Sequence, residues 1–147
     1  MNIRKQVKKF QKAYEDSFED IRKRYNLTMK EIMVLNYLNN NKEKNTSKDL
    51  VDAVMATKSH ISLSVDNLAQ KGIIEKIQDK EDKKIVHLIL TDRFHDLLDE
   101  ISKRSKYLTE KTIENISKKD IEITENTLKK ILDNIENLIV EINNTKN

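Results

Sequence analysis

The sequence has no cysteine, no proline and a single glycine, and aromatic residues make up only 5% of its 147 residues. Without cysteine the chain cannot form a disulfide-stapled domain, a cysteine-based zinc module or a thiol redox sensor. The scarcity of turn-forming residues disfavours an all-β sandwich. Long helices are the fold class that remains, and the length predicts one domain or one protomer of a small oligomer.

Long apolar runs are missing as well. No stretch approaches the roughly 18 consecutive apolar residues of a transmembrane helix, and the basic start of the chain lacks the apolar segment of a signal peptide. We therefore expect a cytoplasmic protein with no membrane partner. Lys and Arg exceed Asp and Glu by 28 to 25, and residues 1–30 carry nine basic and four acidic side chains, so the N-terminal end is the basic one.

Apolar residues at helical spacing predict long helices at both ends of the chain. In residues 2–25 they recur every three or four positions, which places one stripe along a single helix of roughly six turns. The helical period returns after Thr91 and runs to Ile116, and a heptad-like pattern follows a Ser117 cap as far as Ile142. These stripes are too long for the rest of the chain to cover, so we expect a homodimer.

Between these helices, capping residues predict three short helices. Thr28 with Glu31 makes a capping box, Thr46 or Ser47 can cap the second short helix, and Thr57 can cap the third. The two helices that begin near Thr46 and at Thr57 are spaced as a helix-turn-helix.

A β-hairpin is predicted to follow the third short helix. Gly72 lies just past the last apolar position of that helix and predicts a left-handed helix end. Residues 73–77 and 85–90 are β-branched and partly alternating, and the charged segment 78–84 separates them. A helix-turn-helix followed by a hairpin is a winged helix, so we expect a mainly α fold with a small β-hairpin.

The start of the third short helix is the candidate DNA-contacting segment. In helix-turn-helix docking, the second helix lies in the major groove and its N-terminal residues meet base edges. Hydroxyl and lysine side chains can donate to bases or phosphates. The candidates are Thr57, Lys58, Ser59, His60 and Ser62. The alternative is a polar face that only contacts solvent.

The tip of the hairpin carries further candidate DNA contacts, the basic residues Lys80, Lys83 and Lys84. Acidic residues stand between and beside these lysines, so a solvated loop is the alternative interpretation.

The sequence offers no catalytic or metal-binding arrangement. Its three histidines, His60, His87 and His95, are scattered and have no cysteine to complete a zinc shell. No Ser-His-Asp set and no Gly-rich phosphate loop can be assembled. The sequence therefore predicts neither an enzyme nor a metal or cofactor requirement.

Short motifs from Leu27 to Thr91 recur in the order and spacing of a known family. They are Leu27-Thr28 followed by Glu31, Thr46-x-x-Asp49-Leu50, Leu68-x-x-Lys71-Gly72, and Asp82-x-Lys84 followed by Leu90-Thr91. The last is the most specific, because it is similar to a wing motif of Asp-x-Arg followed by Leu-Thr. In these motifs the chain resembles the MarR family of winged-helix transcriptional regulators, with Lys84 where Arg is usual.

The resemblance implies a single MarR-like protomer over residues 1–147. Residues 28–92 would form the DNA-binding lobe, and residues 1–27 and 93–147 the helical dimerisation arms. It also implies that Asp82 braces the wing residue at position 84.

A small aromatic effector is a further implication of the resemblance, because MarR-like proteins often bind small molecules between the dimer arms and the lobe. The aromatic residues Phe10, Tyr14 and Tyr37 are the candidates to line such a pocket, near the start of the helix after Thr91. Core packing explains these aromatic residues equally well.

The function expected from these observations is a homodimeric repressor that binds a pseudo-palindromic operator on double-stranded DNA and is released by an effector. The alternative is a dimeric helical protein-interaction module that keeps the winged-helix shape but binds DNA weakly or not at all. This alternative is motivated by the near-neutral middle of the chain and by a wing that has lysine without the planar fork of arginine. Salt-dependent binding to duplex DNA would separate the two.

Overall fold

The computed structural model describes residues 2–54 and 56–145, and within them the chain forms seven α-helices and one two-stranded sheet. The elements are α1 (Ile3–Ser17), α2 (Glu19–Tyr25), α3 (Met29–Asn40), α4 (Ser47–Val54), α5 (Lys58–Gln70), β1 (Ile74–Gln78), β2 (Val86–Leu90), a 3₁₀ turn (Asp92–Phe94), α6 (His95–Thr112) and α7 (Lys118–Asn144). The predicted fold class, mainly helical with a small hairpin in a winged helix, is confirmed.

The chain divides into two compact units, residues 1–108 and 109–147. In the first unit a buried core extends from Phe18 to Ile101 and takes side chains from α2 to α6 and from both strands. The second unit contains α7, and none of its described residues is buried. In the described part of the chain, no helix combines the length and apolar character needed to cross a membrane.

The prediction of one helix over residues 2–25 is wrong, because the structure ends α1 at Ser17 and starts α2 at Glu19. Between them, Phe18 has φ −103° and ψ 5°, and its N–H donates to the carbonyl of Glu15 at 3.1 Å. The Ser17 carbonyl accepts a hydrogen bond from the guanidinium of Arg104 on α6. Phe18 is fully buried. A long-range contact therefore sets this break, and nothing in the local spacing predicts it.

The predicted helix caps at the start of α3 and α4 are present. Thr28 Oγ1 accepts from the N–H of Glu31 at 3.2 Å, and Glu31 Oε2 accepts from the N–H of Thr28 at 2.8 Å, which completes the capping box. Of the two candidate caps for α4, Thr46 makes the bonds. Its Oγ1 accepts from the N–H of Asp49 at 3.3 Å, and its own N–H donates to Asp49 Oδ2 at 3.0 Å.

Both ends of α5 also follow the sequence. Thr57 Oγ1 accepts from the N–H of His60 at 3.3 Å. At the other end Gly72 has φ +71°, the left-handed conformation predicted for it, and the N–H of Ile73 donates to the carbonyl of Leu68 at 3.0 Å. The chain therefore leaves α5 in a fixed direction and enters β1 directly.

The wing, defined as β1, β2 and the loop 79–85, is an antiparallel hairpin. Its register pairs Ile74 with Leu90 and Gln78 with Val86, so each strand starts one residue later than predicted. Ile74 and Leu88 are buried and join the wing to the core of the first unit.

The C-terminal helices differ from prediction at one junction. The helix expected from Thr91 to Ile116 begins at His95, after a 3₁₀ turn, and ends at Thr112. Ile116 lies in the segment between α6 and α7. The predicted Ser117 cap is present, and Ser117 Oγ accepts from the N–H of Asp120 at 3.1 Å.

Candidate nucleic-acid interface

The five predicted contact residues of α5 lie at its start and are all exposed to solvent. The opposite face of the helix is buried in the core through Ile61, Val65 and Leu68. Because the helix is amphipathic in this sense, the polar residues at its first two turns are presented outward as one surface. The structure brings together Thr57, Lys58, Ser59, His60 and Ser62.

Leu63 is a residue of this surface that sequence reasoning missed. It is 59% exposed although it is a large apolar side chain in the middle of α5. A methyl-bearing side chain at such a place can contact the C5-methyl group of thymine in the major groove. The helical period of the sequence predicts this exposure, because a helix that buries Ile61, Val65 and Leu68 places Leu63 on its outer face.

Glu31 holds α5 against the start of α3. Its side chain is 1% exposed, yet it is a carboxylate. Oε1 accepts from the amide of Asn67 on α5 at 3.1 Å, and Lys71 Nζ lies 3.7 Å from Oε2. Lys71 also donates to the carbonyl of Asn26. The buried carboxylate is therefore paired and hydrogen-bonded, and it links α5 to the start of α3.

A second contact ties the wing to α5. Lys76 on β1 forms an ion pair with Asp66 on α5. Both side chains are substantially exposed, at 40% and 58%, so water screens the pair and its contribution to stability is small. The pair is a direct side-chain contact between β1 and α5.

The tip of the wing is an ordered turn. Asp79 Oδ1 accepts from the N–H groups of Glu81 and Asp82, at 2.8 and 2.9 Å. Asp82 Oδ1 accepts from the N–H of Lys84 at 2.9 Å. The N–H of Asp82, followed by the His87 ring and the N–H of Glu81, lowers the pKa of Asp79 to about 2, so this carboxylate is ionised at neutral pH.

The three lysines of the wing, Lys80, Lys83 and Lys84, are exposed on this turn. Asp82 meets residue 84 through the backbone N–H, in the position that the family resemblance implied for a bracing residue. The wing can therefore present positive charge to a phosphate backbone from a turn whose shape the two aspartates fix.

The aromatic candidates for an effector site are only partly brought together. Tyr14 and Tyr37 line one surface cleft of about 260 Å³, whose other lining residues are Met33, Asn36, Asn40, Asn41, Ala53 and Val54. Phe10 does not line this cleft. It is 55% exposed, and its ring centroid is 6.2 Å from that of Tyr14. The lining comes from α1, α3 and α4, whereas the sequence suggested a place near the start of the helix after Thr91.

The described residues, 2–54 and 56–145, contain no group of three or more His, Asp or Glu side chains placed to hold a metal ion. His95 Nε2 lies 3.0 Å from Oδ1 of its neighbour Asp96. His87 lies on β2 next to the wing loop, and its Nε2 is 3.0 Å from Asp79 Oδ2.

Comparison with known proteins gives a family match for the middle of the chain. Residues 27–93 match the sequence model of the winged helix DNA-binding domain. No curated protein matches the chain.

Solved structures match nearly the whole chain. MepR of S. aureus in its DNA-binding conformation is 17% identical with a TM-score of 0.81, covering 92% of this chain and 99% of that one. The regulator MarR of Oenococcus oeni PSU-1 is 19% identical with a TM-score of 0.76, covering 90% and 99%. BpsR of Bordetella bronchiseptica, whose DNA binding is regulated by 6-hydroxynicotinic acid, is 16% identical with a TM-score of 0.67, covering 89% and 98%.

Proposed function

We propose, on the premise that this chain is a winged-helix protein with the fold of MarR-family regulators, that it is a transcriptional regulator that binds double-stranded DNA. The predicted family resemblance is confirmed by these matches. One observation carries the proposal: the outward face of α5 is polar and basic at its first two turns, while its inner face is locked into the core. This is the arrangement that a recognition helix needs in order to enter the major groove as a rigid body.

The recognition helix supplies sequence preference in this proposal. Lys58 and Ser59 lie in the first turn of α5, where side chains reach base edges. Leu63 follows one turn later and offers an apolar contact to thymine methyl groups. The first turn of α5 also carries the partial positive charge of a helix N-terminus, which favours a phosphate. We therefore assign base readout to Lys58, Ser59, Ser62 and Leu63.

The wing supplies affinity that does not depend on sequence. Its lysines are point charges suited to phosphate contacts, and Lys84 lacks the planar fork with which arginine fits a narrow minor groove. Each phosphate contact releases about one counterion, so wing binding should weaken as salt rises.

The proposed assembly is a homodimer on a pseudo-palindromic operator. The apolar stripe of α7 is about half exposed at Leu128, Leu132, Ile135 and Ile139. An apolar stripe of this length favours a second copy of the same helix, as the heptad-like spacing indicates. In this proposal residues 28–92 are the DNA-binding lobe, and residues 1–27 and 93–147 are the dimerisation arms. Two recognition helices would meet half-sites one DNA turn apart, roughly 34 Å.

Repression released by a small aromatic effector is the proposed regulation. Three asparagines and the apolar residues Met33, Ala53 and Val54 line the cleft together with Tyr14 and Tyr37, and this mixed lining suits an aromatic ring with polar substituents. BpsR, which shares the fold, responds to such a molecule, 6-hydroxynicotinic acid. A ligand that weakens DNA binding must itself bind more weakly to the DNA complex, by the same factor.

Selection of bound sequences from random duplex DNA tests the core of the proposal. We expect enrichment of a palindrome whose half-sites are one helical turn apart, with affinity that falls steeply as salt increases. Lys129→Ala on α7 is the matched control for lysine substitutions in α5 and the wing. Lack of any enriched sequence, with duplex binding that salt does not change, would favour the protein-interaction module.

The effector proposal has its own test. Candidate aromatic acids are titrated against the free dimer and against the dimer bound to its selected duplex. Equal affinity in the two states would exclude a compound as the inducer, however tightly it bound.

A further inference from the structure

A histidine on β2, next to the wing loop, contacts two other segments of the first unit. We name this group the wing clamp: His87 on β2, Asp79 at the start of the wing loop, and Asn45 in the loop between α3 and α4. His87 Nδ1 lies 2.6 Å from Asn45 Oδ1, and Nε2 lies 3.0 Å from Asp79 Oδ2. The ring is therefore in hydrogen-bond contact on both sides.

The Asn45 side of the clamp presents an acceptor to the ring. The Asn45 amide nitrogen donates to the carbonyl of Lys42 at 3.1 Å, and this contact fixes which end of the amide faces His87. Asn45 is 8% exposed, and its own carbonyl accepts from the N–H of Leu88 at 2.9 Å. Thr46 adds a β-bridge to His87. The loop before α4 is thus attached along β2, and its amide oxygen can only accept.

The Asp79 side presents a second acceptor. Its carboxylate is ionised, because backbone N–H groups and the His87 ring lower the pKa of Asp79 to about 2. One oxygen holds the backbone turn at Glu81 and Asp82, and the other faces His87. A neutral imidazole has one donor nitrogen and one acceptor nitrogen, so it can satisfy only one of the two partners. Both contacts together require the imidazolium form.

We propose that His87, as an imidazolium, is a positioning residue that ties the wing to the loop between α3 and α4 and thereby sets the contribution of the wing to DNA affinity. The proposal rests on the proposed DNA-binding function. The Asp79 carboxylate that accepts the hydrogen bond from His87 also shapes the turn that carries Lys83 and Lys84, so the clamp orders these lysines in the free protein. Lysines that are already ordered lose less conformational entropy when they bind DNA, so binding is more favourable.

The direction of the pH effect follows from this geometry. The clamp is complete when the ring carries two protons, and it loses one contact when rising pH removes a proton. Affinity from the wing is therefore present at lower pH and is lost as pH rises.

The segments that pack against the clamp carry other charged residues. The α3–α4 loop carries Lys42, Glu43 and Lys44, and α4 starts with Lys48 and Asp49. Asp49 is bonded to the hydroxyl and N–H of Thr46, at 2.7 and 3.0 Å, and these bonds lower the pKa of Asp49. On β1 the register partner of His87 is Ile77, which has no charge. Asp79 is thus the carboxylate in direct contact with the ring.

The first test uses the free protein, so it does not depend on DNA binding. Proton and nitrogen NMR at pH 6 observes ring N–H groups only when hydrogen bonding slows their exchange with water. We expect two ring N–H signals that disappear in His87→Gln. Any signals of His95, whose ring nitrogens lie 3.1 Å from the Asp92 carbonyl and 3.0 Å from Asp96 Oδ1, remain in that variant. Loss of only one signal, or of none, would overturn the clamp.

The second test measures affinity for the selected duplex at pH 6 and pH 8.5, for the wild type and for His87→Gln. Both proteins keep His60 and His95, so any contribution of these two residues cancels in the ratio. Loss of a charge-assisted bond next to the wing loop should weaken binding by about three- to tenfold at pH 6, with the ratio approaching one at pH 8.5. A ratio that is the same at both pH values would overturn the proposal.

A background without the wing lysines separates positioning from general stability. In Lys80→Ala/Lys83→Ala/Lys84→Ala, we expect His87→Gln to leave affinity unchanged, because the clamp acts through those lysines. An equal loss in this background would show that His87 acts elsewhere and would overturn the proposal. If the wild type binds no duplex at all, the proposed function fails, and the NMR signals still decide whether the clamp exists.

Discussion

The two units of the chain use similar side chains with opposite results. Residues 2–108 bury Leu35 completely and Ile101 to within 1% of full burial, whereas in residues 109–145 the apolar residues remain about half exposed, with Leu132 at 59%. Both regions are rich in Ile and Leu at helical spacing. The periodicity of the sequence therefore identifies the apolar face of a helix, whereas the burial of that face depends on which other elements pack against it.

The first unit buries its apolar side chains within a single chain, because several short elements pack against one another. Short helices and the wing pack around Leu50, Leu68 and Leu88, all of which are at most 2% exposed. In the second unit, none of the described residues of the 27-residue helix α7 is buried. In the proposed homodimer a second copy of α7 would cover its apolar stripe. The four predictions below vary this contrast.

The largest effect is expected from charge on the α7 stripe. Leu132→Asp combined with Ile139→Asp should prevent dimerisation, because the dimer would have to bury four carboxylates, two from each chain. We expect a loss of at least about 3 kcal/mol in dimer stability, more than about a hundredfold in Kd. Sedimentation at micromolar concentration gives the oligomeric state, and circular dichroism shows whether the first unit keeps its helices.

The matched control places the same two charges on the polar side of the same helix. Asn126→Asp with Asn137→Asp should leave the dimer intact, because both positions lie opposite the apolar stripe. A folded monomer of the wild-type protein at micromolar concentration would contradict the dimer itself.

The second prediction compares one leucine from each unit. Leu35→Ala removes a side chain with no exposed area and should lower the free energy of unfolding by about 2–5 kcal/mol. Leu138→Ala, at 52% exposure, should act through association, so its effect should shrink when protein concentration is raised. Denaturation at two concentrations separates the two cases. Concentration-dependent loss for Leu35→Ala would show that the first unit also depends on the partner.

Features set by nearby residues could be predicted from the sequence. The caps at Thr28, Thr57 and Ser117 and the left-handed Gly72 depend on bonds within three or four positions, and each is present. The same holds for the hairpin, whose strands were predicted within one residue. Such local rules were enough to identify the winged helix and the outward start of α5.

Features set by distant residues could not be predicted. The break at Phe18 depends on Arg104, which lies 87 positions beyond the carbonyl of Ser17 that it binds. The wing clamp joins Asn45 to His87 across 42 positions, and no spacing rule relates them. The lining of the surface cleft also depends on distant residues, since it takes Tyr14, Tyr37 and the end of α4 but not Phe10.

The third prediction compares two surfaces within the first unit. Lys58→Ala or Ser59→Ala should change relative affinity among operator variants by about 1–3 kcal/mol for each lost base contact. Lys84→Ala should weaken binding to all duplexes similarly and reduce the salt slope by about one unit. Competition binding at several salt concentrations measures both, with Lys129→Ala as control. Unchanged affinity and preference in the α5 variants would contradict the assignment of α5 as recognition helix.

The smallest effect concerns the ion pair that attaches α6 to the α1–α2 break. Arg104 donates to both carboxylate oxygens of Asp20, at 3.0 and 3.1 Å, and chiefly this hydrogen bonding lowers the pKa of Asp20 from 3.8 to about 2. A carboxyl whose pKa is lower in the folded chain stabilises it above the unfolded value, and that stabilisation is lost as pH falls through the folded one.

The free energy of unfolding of Asp20→Asn should therefore fall less steeply than that of the wild type between pH 4 and pH 2, the two limits of that shift. The difference should be small, because the Asp20 side chain is 51% exposed and water screens the pair. Denaturant titrations across this range measure the slope, and Asp133→Asn on α7 is the control for removing a carboxylate from the other unit. A slope change of equal size in Asp133→Asn would show that general charge repulsion, and not the Arg104 contact, governs acid unfolding.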